Sequence, residues 1–220
     1  MDNKGTAEQL RQASEGGMAT VKQVERKDKT EKPPALYDLT TLQRDANRLL
    51  GFTAQQTLDY LQNLYEKKLC TYPRTDSRYL TSDMAEGLPV LVNLVANAMP
   101  FRKGIAISCD AAAVINDKKV TDHHAVIPTR NIREADLSAL PVGERTILEL
   151  VALRLLCAVA SPYIYGETSV TVDCTGAEFT AKGRTVKQPG WRALDAAYRA
   201  SMKNVEPDKE AEDKALPELT

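Results

Sequence analysis

The residues best suited to chemistry lie in one polar segment, 71–79, which has the sequence TYPRTDSRY and separates two apolar stretches. Tyr72 stands directly before Pro73, and a residue before proline is biased out of the helix towards extended backbone. In an extended segment the side chains of Tyr72 and Arg74 point to the same side. A phenol and a guanidinium on one face suit attack on a phosphodiester, because the cation stabilises negative charge on the phenolate and on the phosphoryl oxygens.

The other polar residues of this segment could support such a reaction. Asp76 could orient Arg74 or Arg78 through an ion pair. The hydroxyls of Thr75 and Ser77 could donate hydrogen bonds to phosphate oxygens. The alternative is a polar loop that holds a packed tyrosine, since tyrosines near arginines are common.

A second polar cluster, TDHHAVIPT, occupies residues 121–129. The adjacent His123 and His124 point in different directions on either a helix or a strand, so they are poor joint ligands for a metal. One of them could donate to a phosphate or shift a neighbouring charge, because histidine titrates near neutral pH. The alternative is a histidine at the surface or at a helix cap.

The hydrophobic periodicity indicates which elements hold these segments. Apolar residues at helical spacing predict helices at 39–50, 54–68, 83–99, 143–160 and, in a shorter form, around 191–198. Gly51 is expected to end the first helix, while Thr53 and Ser82 are expected to cap the second and third. Two-residue alternation predicts strands at 19–25, 168–174 and 177–183, the last two joined by a turn at Thr175-Gly176. Residues 26–35 are charged and contain two prolines, which predicts a linker.

Composition and charge narrow the class of protein. The 220 residues carry 29 basic and 30 acidic side chains, and the formal net charge of −1 argues weakly against a nucleic-acid partner. Six acidic and three basic residues lie in 203–220, however, so the rest of the chain is mildly basic. No apolar run approaches the roughly 20 residues of a membrane span, so no membrane association is expected. The four cysteines show no CxxC spacing, which argues against a zinc site and favours reduced thiols in the cytoplasm.

Three motifs, in this order and at this spacing, resemble those of the type IA DNA topoisomerases, and of the topoisomerase III branch in particular. They are LYDLTTLQRDAN at 36–47, TYPRTDSRYL at 71–80 and TDHHAVIPT at 121–129, and the resemblance covers residues 18–200. It implies that Tyr72 attacks DNA and becomes joined to a 5′-phosphate, and that Arg74 supports this step. His123 aligns with the histidine of the family's H-x-A-I motif, which implies a place near the active site and a part in DNA binding or cleavage.

Further residues match the motifs or could contact DNA by charge. Gln43, Thr75 and Asp76 match motif positions, and supporting roles in DNA binding are expected for them, as for Ser77 and Arg78. Cations bind single-stranded nucleic acid by neutralising its phosphates. The cations expected to contact DNA are Lys67, Lys68, Arg74, Arg78, Arg102 and Lys103.

The resemblance implies an α+β fold, in which a helix-rich catalytic-tyrosine domain is inserted between β-strands of a partial arch domain. On this basis residues 1–35 hold one arch strand and a linker, and residues 36–130 form the tyrosine domain. Residues 131–202 continue the partial arch domain with a helix and the hairpin. Residues 203–220 are expected to form an acidic disordered tail.

The family's cofactor is Mg²⁺, which a glutamate and a D-x-D pair hold in a Toprim domain. This sequence has no D-x-D, and no such domain precedes Tyr72. We therefore expect the chain to bind no metal itself, and to be inactive unless a separate Toprim-containing chain joins it.

The reaction implied by the resemblance is transient cleavage of single-stranded DNA, followed by strand passage and rejoining, which changes DNA topology. A phosphotyrosyl link preserves the energy of the broken bond, so no ATP is required, and the sequence has no P-loop. The expected location is the bacterial cytoplasm or nucleoid. The alternative function is a non-catalytic module, derived from a topoisomerase, that binds single-stranded DNA or another protein.

Overall fold

The computed structural model describes residues 4–102 and 104–202, and it confirms the α+β class. Its helices are α1 (Lys4–Ser14), α2 (Leu39–Leu50), α3 (Ala54–Glu66), α4 (Leu88–Ala98), α5 (Val142–Ala158) and α6 (Gly190–Ser201). Its strands are β1 (Ala19–Glu31), β2 (Tyr163–Cys174) and β3 (Ala177–Gln188), in the sheet order β1-β2-β3. The predicted acidic tail, 203–220, and Lys103 lie outside the described residues.

Contacts divide the chain into two units, termed here the sheet unit and the helical unit. Within the described residues, the sheet unit contains 4–31 and Ile164–Gln188, and the helical unit contains Lys32–Tyr163 and 189–202. Helices α5 and α6 thus group with the helical unit by contact, whereas the predicted domain 131–202 placed them with the hairpin. The assignment of residues to a tyrosine domain and an arch domain remains a prediction.

In the sheet unit, the predicted turn joins β2 to β3. Thr175 and Gly176 have positive φ values, 56° and 82°, as a two-residue turn between twisted antiparallel strands requires. The Asp173 side chain accepts a hydrogen bond from the Gly176 amide at 3.3 Å and supports the turn. The hairpin prediction is confirmed, and both strands extend beyond the predicted ranges.

Strand β1 is longer than the sequence pattern predicts, because residues 26–31 continue it where a linker was expected. The charged side chains fit since β1 is an edge strand whose residues are almost all exposed. Ion pairs also offset their charge. Lys27 Nζ lies 2.7 Å from the Glu25 carboxylate, and Asp28 Oδ1 lies 2.6 Å from Nζ of Lys187 on β3.

Helix α1 was not predicted, because the first 17 residues are polar and contain glycine. Charge pairs at helical spacing stabilise it, since Arg11 lies 2.8 Å from Glu8 and 3.1 Å from Glu15. No residue of α1 is buried. Apolar periodicity therefore could not have revealed this helix.

In the helical unit, side-chain caps fix where α2 and α3 begin. The Asp38 carboxylate accepts a hydrogen bond from the Thr41 amide at 2.6 Å, and the Thr53 hydroxyl accepts one from the Gln56 amide at 3.1 Å. Helix α2 ends at Gly51, whose φ of 71° lies in the left-handed region that favours glycine. The predicted end at Gly51 and the predicted cap at Thr53 are both confirmed.

Helix α4 begins later than predicted. The expected start forms only a short 3-10 turn, Ser82–Met84, and the α-helix begins at Leu88. Pro89 explains the difference, because proline lacks an amide donor and is tolerated only in the first turn of a helix. The predicted cap at Ser82 is therefore wrong for α4.

Helix α5 runs through the core of the helical unit and contacts α2, α3, α4 and α6. Gly143 lets its first turn approach α3 closely, since a Cβ at this position would lie 2.6 Å from Cε2 of the Tyr60 ring. Although α5 is largely buried, neither it nor any other described helix is long and apolar enough to cross a membrane. The contact between α3 and α5 fixes the end of α3, which leads into the polar segment.

Candidate active site

Residues 73 to 77 show the two-residue period of an extended chain. Residues 73, 75 and 77 are buried, whereas Arg74 and Asp76 are exposed and Tyr72 is half-buried. This alternation places Tyr72 and Arg74 on one side of the segment, away from the packed side.

Two hydrogen bonds tie this segment to the first residue of α2 and to the chain just before that helix. The Leu39 amide donates to the Thr75 carbonyl at 3.1 Å, and Arg78 Nε donates to the Leu36 carbonyl at 3.1 Å. Arg78 therefore uses this donor within the protein, rather than in the ion pair with Asp76 that the sequence suggested.

A tight reversal of the chain leads from α3 to Tyr72. Lys68 has a φ of 60°, in the left-handed region that few residues other than glycine adopt. Thr129 holds the reversal, because its hydroxyl donates to the Lys68 carbonyl and its amide donates to the Leu69 carbonyl at 2.9 Å. The side chain of Lys68 remains exposed.

A buried carboxylate also holds the end of α3. Glu144 on α5 is 4% exposed, and it accepts hydrogen bonds from Asn63 Nδ2 at 3.0 Å and from Lys67 Nζ. Asn63 lies in the last turn of α3, and Lys67 is the C-cap of that helix. The side chains of Lys67 and Lys68 are both exposed, but the ammonium of Lys67 is paired with Glu144 within the protein.

The 121–129 segment runs beside Tyr72 and forms hydrogen bonds with the residues on both sides of Tyr72 in the chain. On one flank, Thr71 Oγ1 donates to the Ala125 carbonyl at 3.1 Å and accepts from the Ile127 amide at 3.0 Å. On the other flank, Thr75 Oγ1 donates to the His123 carbonyl at 2.9 Å. These bonds bring His123 to Tyr72 across a long interval of sequence.

Two aromatic rings contact that of Tyr72. The His123 centroid lies 4.2 Å from the Tyr72 centroid, with 37° between the ring planes. Tyr65, in the last turn of α3, meets Tyr72 edge to face, with centroids 5.5 Å apart and planes at 84°. His124 has a different environment, since its Nδ1 lies 2.8 Å from the Ala125 carbonyl.

Sequence reasoning did not single out Glu144, and it left Tyr65 open between a core residue and a platform on which single-stranded DNA could stack. Tyr65 lies seven residues before Tyr72, and only the reversal at Lys68 brings the two rings together. Glu144 lies 77 residues after Lys67 and is an ordinary acidic residue in the first turn of a helix. The signal for Tyr65 was its position in the sequence LYEKK, residues 64–68, which ends the predicted helix before the polar segment 71–79.

Three residues predicted to support DNA binding are engaged within the protein. Thr75 bonds the His123 carbonyl, and Ser77 Oγ donates to the Lys119 carbonyl at 2.8 Å; both side chains are buried. Gln43 donates through Nε2 to the Ala54 carbonyl at 3.0 Å and so links α2 to α3. The hydroxyls of Thr75 and Ser77 therefore hold the segment in place instead of facing solvent, where a phosphate would lie.

Among residues 4–102 and 104–202, no group of three or more histidine, cysteine, aspartate or glutamate side chains could hold a metal ion. The Mg²⁺ that the resemblance implies therefore has no ligand set in this part of the chain. Burial raises the pKa of the Cys70 thiol, and it raises the pKa of the Cys157 thiol to about 12. Both thiols stay protonated at neutral pH and are poor metal ligands.

A family model described as DNA topoisomerase matches residues 1–220. The chain belongs to this family, and the motifs around Tyr72 and His123 are those of its type IA class. Within that class its relatives are of the topoisomerase III branch.

The curated relatives are much longer than this chain. DNA topoisomerase 3 of Bacillus licheniformis is 39% identical over 225 residues, which cover 99% of this chain and 30% of that protein. DNA topoisomerase 3 of Bacillus subtilis is 40% identical over 200 residues, which cover 87% of this chain and 27% of that protein. The chain thus spans less than a third of the length of these relatives.

A solved structure agrees in fold. Full-length topoisomerase I from Thermotoga maritima superposes with a TM-score of 0.66 at 21% identity, over 95% of this chain and 34% of that one. At this level of identity the likeness concerns the fold alone, and it supports the α+β architecture.

Proposed function

We propose that this chain provides the tyrosine of a type IA DNA topoisomerase, which cleaves single-stranded DNA through a 5′-phosphotyrosyl link, passes a strand and rejoins the break. The observation that carries the proposal is the contact of the Tyr72 and His123 rings, with centroids 4.2 Å apart, beside the exposed Arg74. The family match over the whole chain supports the same function.

In the proposed step, Tyr72 Oη attacks the phosphorus of a DNA phosphodiester. The Oη–P bond forms, the bond from phosphorus to the 3′-oxygen breaks, and the phenol proton is transferred, in net terms, to the released 3′-hydroxyl. Rejoining is the reverse, in which the 3′-hydroxyl attacks phosphorus and the tyrosine leaves. Because one phosphodiester replaces another, the cycle needs no ATP.

Three side chains are proposed to assist Tyr72. Arg74 lies on the same side of the segment, and its guanidinium stabilises the charge that develops on the phosphoryl oxygens. His123 contacts the Tyr72 ring, and a ring N–H can donate to the same phosphate. Lys68, exposed at the chain reversal, attracts the DNA backbone.

The proposed partners are single-stranded DNA and a Toprim-containing chain. In the full-length family the Toprim domain supplies the Mg²⁺ site, and the described residues offer no ligand set of their own. The chain alone is therefore expected to bind DNA weakly without cleaving it. Residues 36–130 would then act as the tyrosine domain and residues 131–202 as part of an arch, in the bacterial cytoplasm or nucleoid.

A covalent adduct with DNA tests this function. A single-stranded oligonucleotide labelled at its 3′ end is incubated with the chain, alone and with a Toprim-containing chain, and labelled protein is detected on a denaturing gel. The label stays with the protein because the 5′-phosphate of the downstream piece is joined to Tyr72. We expect an adduct when the Toprim-containing chain is present, and none with Tyr72→Phe.

Tyr79→Phe is the matched control, because Tyr79 lies in the same segment and its hydroxyl is 3.4 Å from Lys119 Nζ. This variant should form the adduct as the parent chain does. An adduct that survives Tyr72→Phe would overturn the assignment of the nucleophile. DNA binding with no adduct under either condition would favour the non-catalytic binding module.

A further inference from the structure

Tyr65 is an aromatic residue whose position the hydrophobic core does not explain. It is 41% exposed, yet its ring meets the Tyr72 ring edge to face, with centroids 5.5 Å apart and planes at 84°. This geometry is one of the arrangements that aromatic pairs favour. Tyr65 therefore makes a specific ring contact with Tyr72, although much of its side chain is exposed.

The elements that carry Tyr65 and His123 are each held by bonds that do not involve the Tyr72 side chain. The end of α3, which holds Tyr65, is tied to Glu144 through Lys67. His123 is held by the hydrogen bond from Thr75 to its carbonyl at 2.9 Å. The two ring contacts thus reach Tyr72 from a scaffold that does not depend on the Tyr72 side chain itself.

The contacts that the structure shows for the Tyr72 side chain are made to its ring, by His123 on one side and by Tyr65 on the other edge. We propose that Tyr65 is a positioning residue, which together with His123 holds the Tyr72 ring in one orientation for attack on DNA. The part that this restraint plays in DNA cleavage rests on the proposed function, whereas the restraint itself is a property of the chain alone. A nucleophile that is already held near its line of attack reacts faster, because it loses less orientational freedom on reaching the transition state.

Substitution at Tyr65 separates the ring contact from other effects. Tyr65→Leu keeps an apolar side chain and removes the ring, while Tyr65→Phe keeps the ring and removes only the hydroxyl. Because Tyr65 is exposed, Tyr65→Phe should leave the thermal midpoint of unfolding unchanged, and Tyr65→Leu should lower it by at most a few degrees. An aromatic pair is strong enough to change an orientational equilibrium by roughly twofold to tenfold.

The restraint is measured on the full chain without DNA, by placing 3-fluorotyrosine at position 72 and recording its fluorine NMR signal. The parent chain and Tyr65→Phe both keep an aromatic ring beside Tyr72, so we expect one dispersed signal from each. In Tyr65→Leu the signal should move towards the shift of the unfolded chain. An identical signal in all three proteins would overturn the proposal, whatever the cleavage assay shows.

The effect of Tyr65 on the attack of Tyr72 on DNA is measured as the rate of adduct formation. The assay contains the Toprim-containing chain and a range of oligonucleotide concentrations. Tyr65→Leu should lower the rate at saturating DNA by roughly twofold to tenfold and leave the half-saturating concentration unchanged, and Tyr65→Phe should retain the rate. A higher half-saturating concentration with an unchanged maximal rate would show that Tyr65 contacts DNA instead, which overturns the proposal. If the parent chain forms no adduct, the proposed function fails, and the fluorine signal still decides whether Tyr65 restrains Tyr72.

Discussion

The hydroxyl of Thr75 donates a hydrogen bond to the main-chain carbonyl of His123 at 2.9 Å, across 48 residues of sequence. The same oxygen accepts a hydrogen bond from the Ser77 amide at 3.1 Å. One buried hydroxyl therefore joins the segment that carries Tyr72 to the segment that carries His123. The distance between these two side chains depends on that bond.

Replacing Thr75 with valine should loosen this connection. Valine has a similar shape but no hydroxyl, so the His123 carbonyl and the Ser77 amide each lose a partner. We expect Thr75→Val to lower the free energy of unfolding by about 1–3 kcal/mol, measured by urea denaturation. Thr75→Ser keeps the hydroxyl and should lose clearly less. Equal stability of the valine and serine variants would contradict a structural role for the hydroxyl.

The features that the sequence predicted correctly follow from local rules. Gly51 ends α2 because the chain needs a left-handed residue there, and Thr53 caps α3 by bonding the amide three residues later. The turn at Thr175-Gly176 likewise depends on two adjacent residues and the strands they join. Such rules need no knowledge of distant neighbours.

The features that the sequence did not predict depend on distant partners. The contact of Tyr65 with Tyr72 needs the reversal at Lys68, and Thr129 holds that reversal from 61 residues away. Glutamate is common in the first turn of a helix, and the sequence around Glu144 does not indicate that Lys67 is its partner. The hydroxyl of Thr75 could have faced DNA or the protein, and only its neighbours decide between them.

Lys67 and Lys68 are adjacent, and the structure predicts opposite consequences for their loss. Lys68 is exposed, so Lys68→Met should weaken binding to a labelled single-stranded oligonucleotide and reduce the salt slope by about 0.7, with little effect on stability. Lys67 pairs with the buried Glu144, so Lys67→Met should lower the free energy of unfolding by about 1–3 kcal/mol. Fluorescence anisotropy over a salt series and urea denaturation measure the two effects. Equal salt slopes for the two variants would contradict this distinction.

Gly143 is expected to tolerate no side chain. A Cβ there would lie 2.6 Å from Cε2 of Tyr60, whose ring also packs against Phe52 at a centroid distance of 5.3 Å. Gly143→Ala should therefore lower the free energy of unfolding by about 1–3 kcal/mol, although alanine favours a helix by about 1 kcal/mol. Adding Tyr60→Leu to this variant should recover part of the loss, because it removes the ring that clashes. Purely additive effects of the two substitutions would contradict the clash.

Glu149 on α5 should make the stability of the chain depend on pH. Burial raises the pKa of this carboxyl above its ordinary value, and Arg145 opposes the shift only in part. The folded chain then holds the proton more tightly than the unfolded chain does, so stability falls as pH rises from the ordinary glutamate pKa through the raised value. Above that range the folded chain carries a half-buried charge that it disfavours.

Glu149→Gln should remove this effect, because glutamine has a similar shape and no charge. We expect the variant to unfold at a higher urea concentration than the parent chain at pH 7, and the difference to shrink as the pH approaches 4. Glu86→Gln, which changes an exposed glutamate before α4, is the matched control and should follow the parent chain at both pH values. A Glu149→Gln variant that is less stable than the parent at pH 7 would show that the electrostatic attraction of Arg145 outweighs the cost of burial.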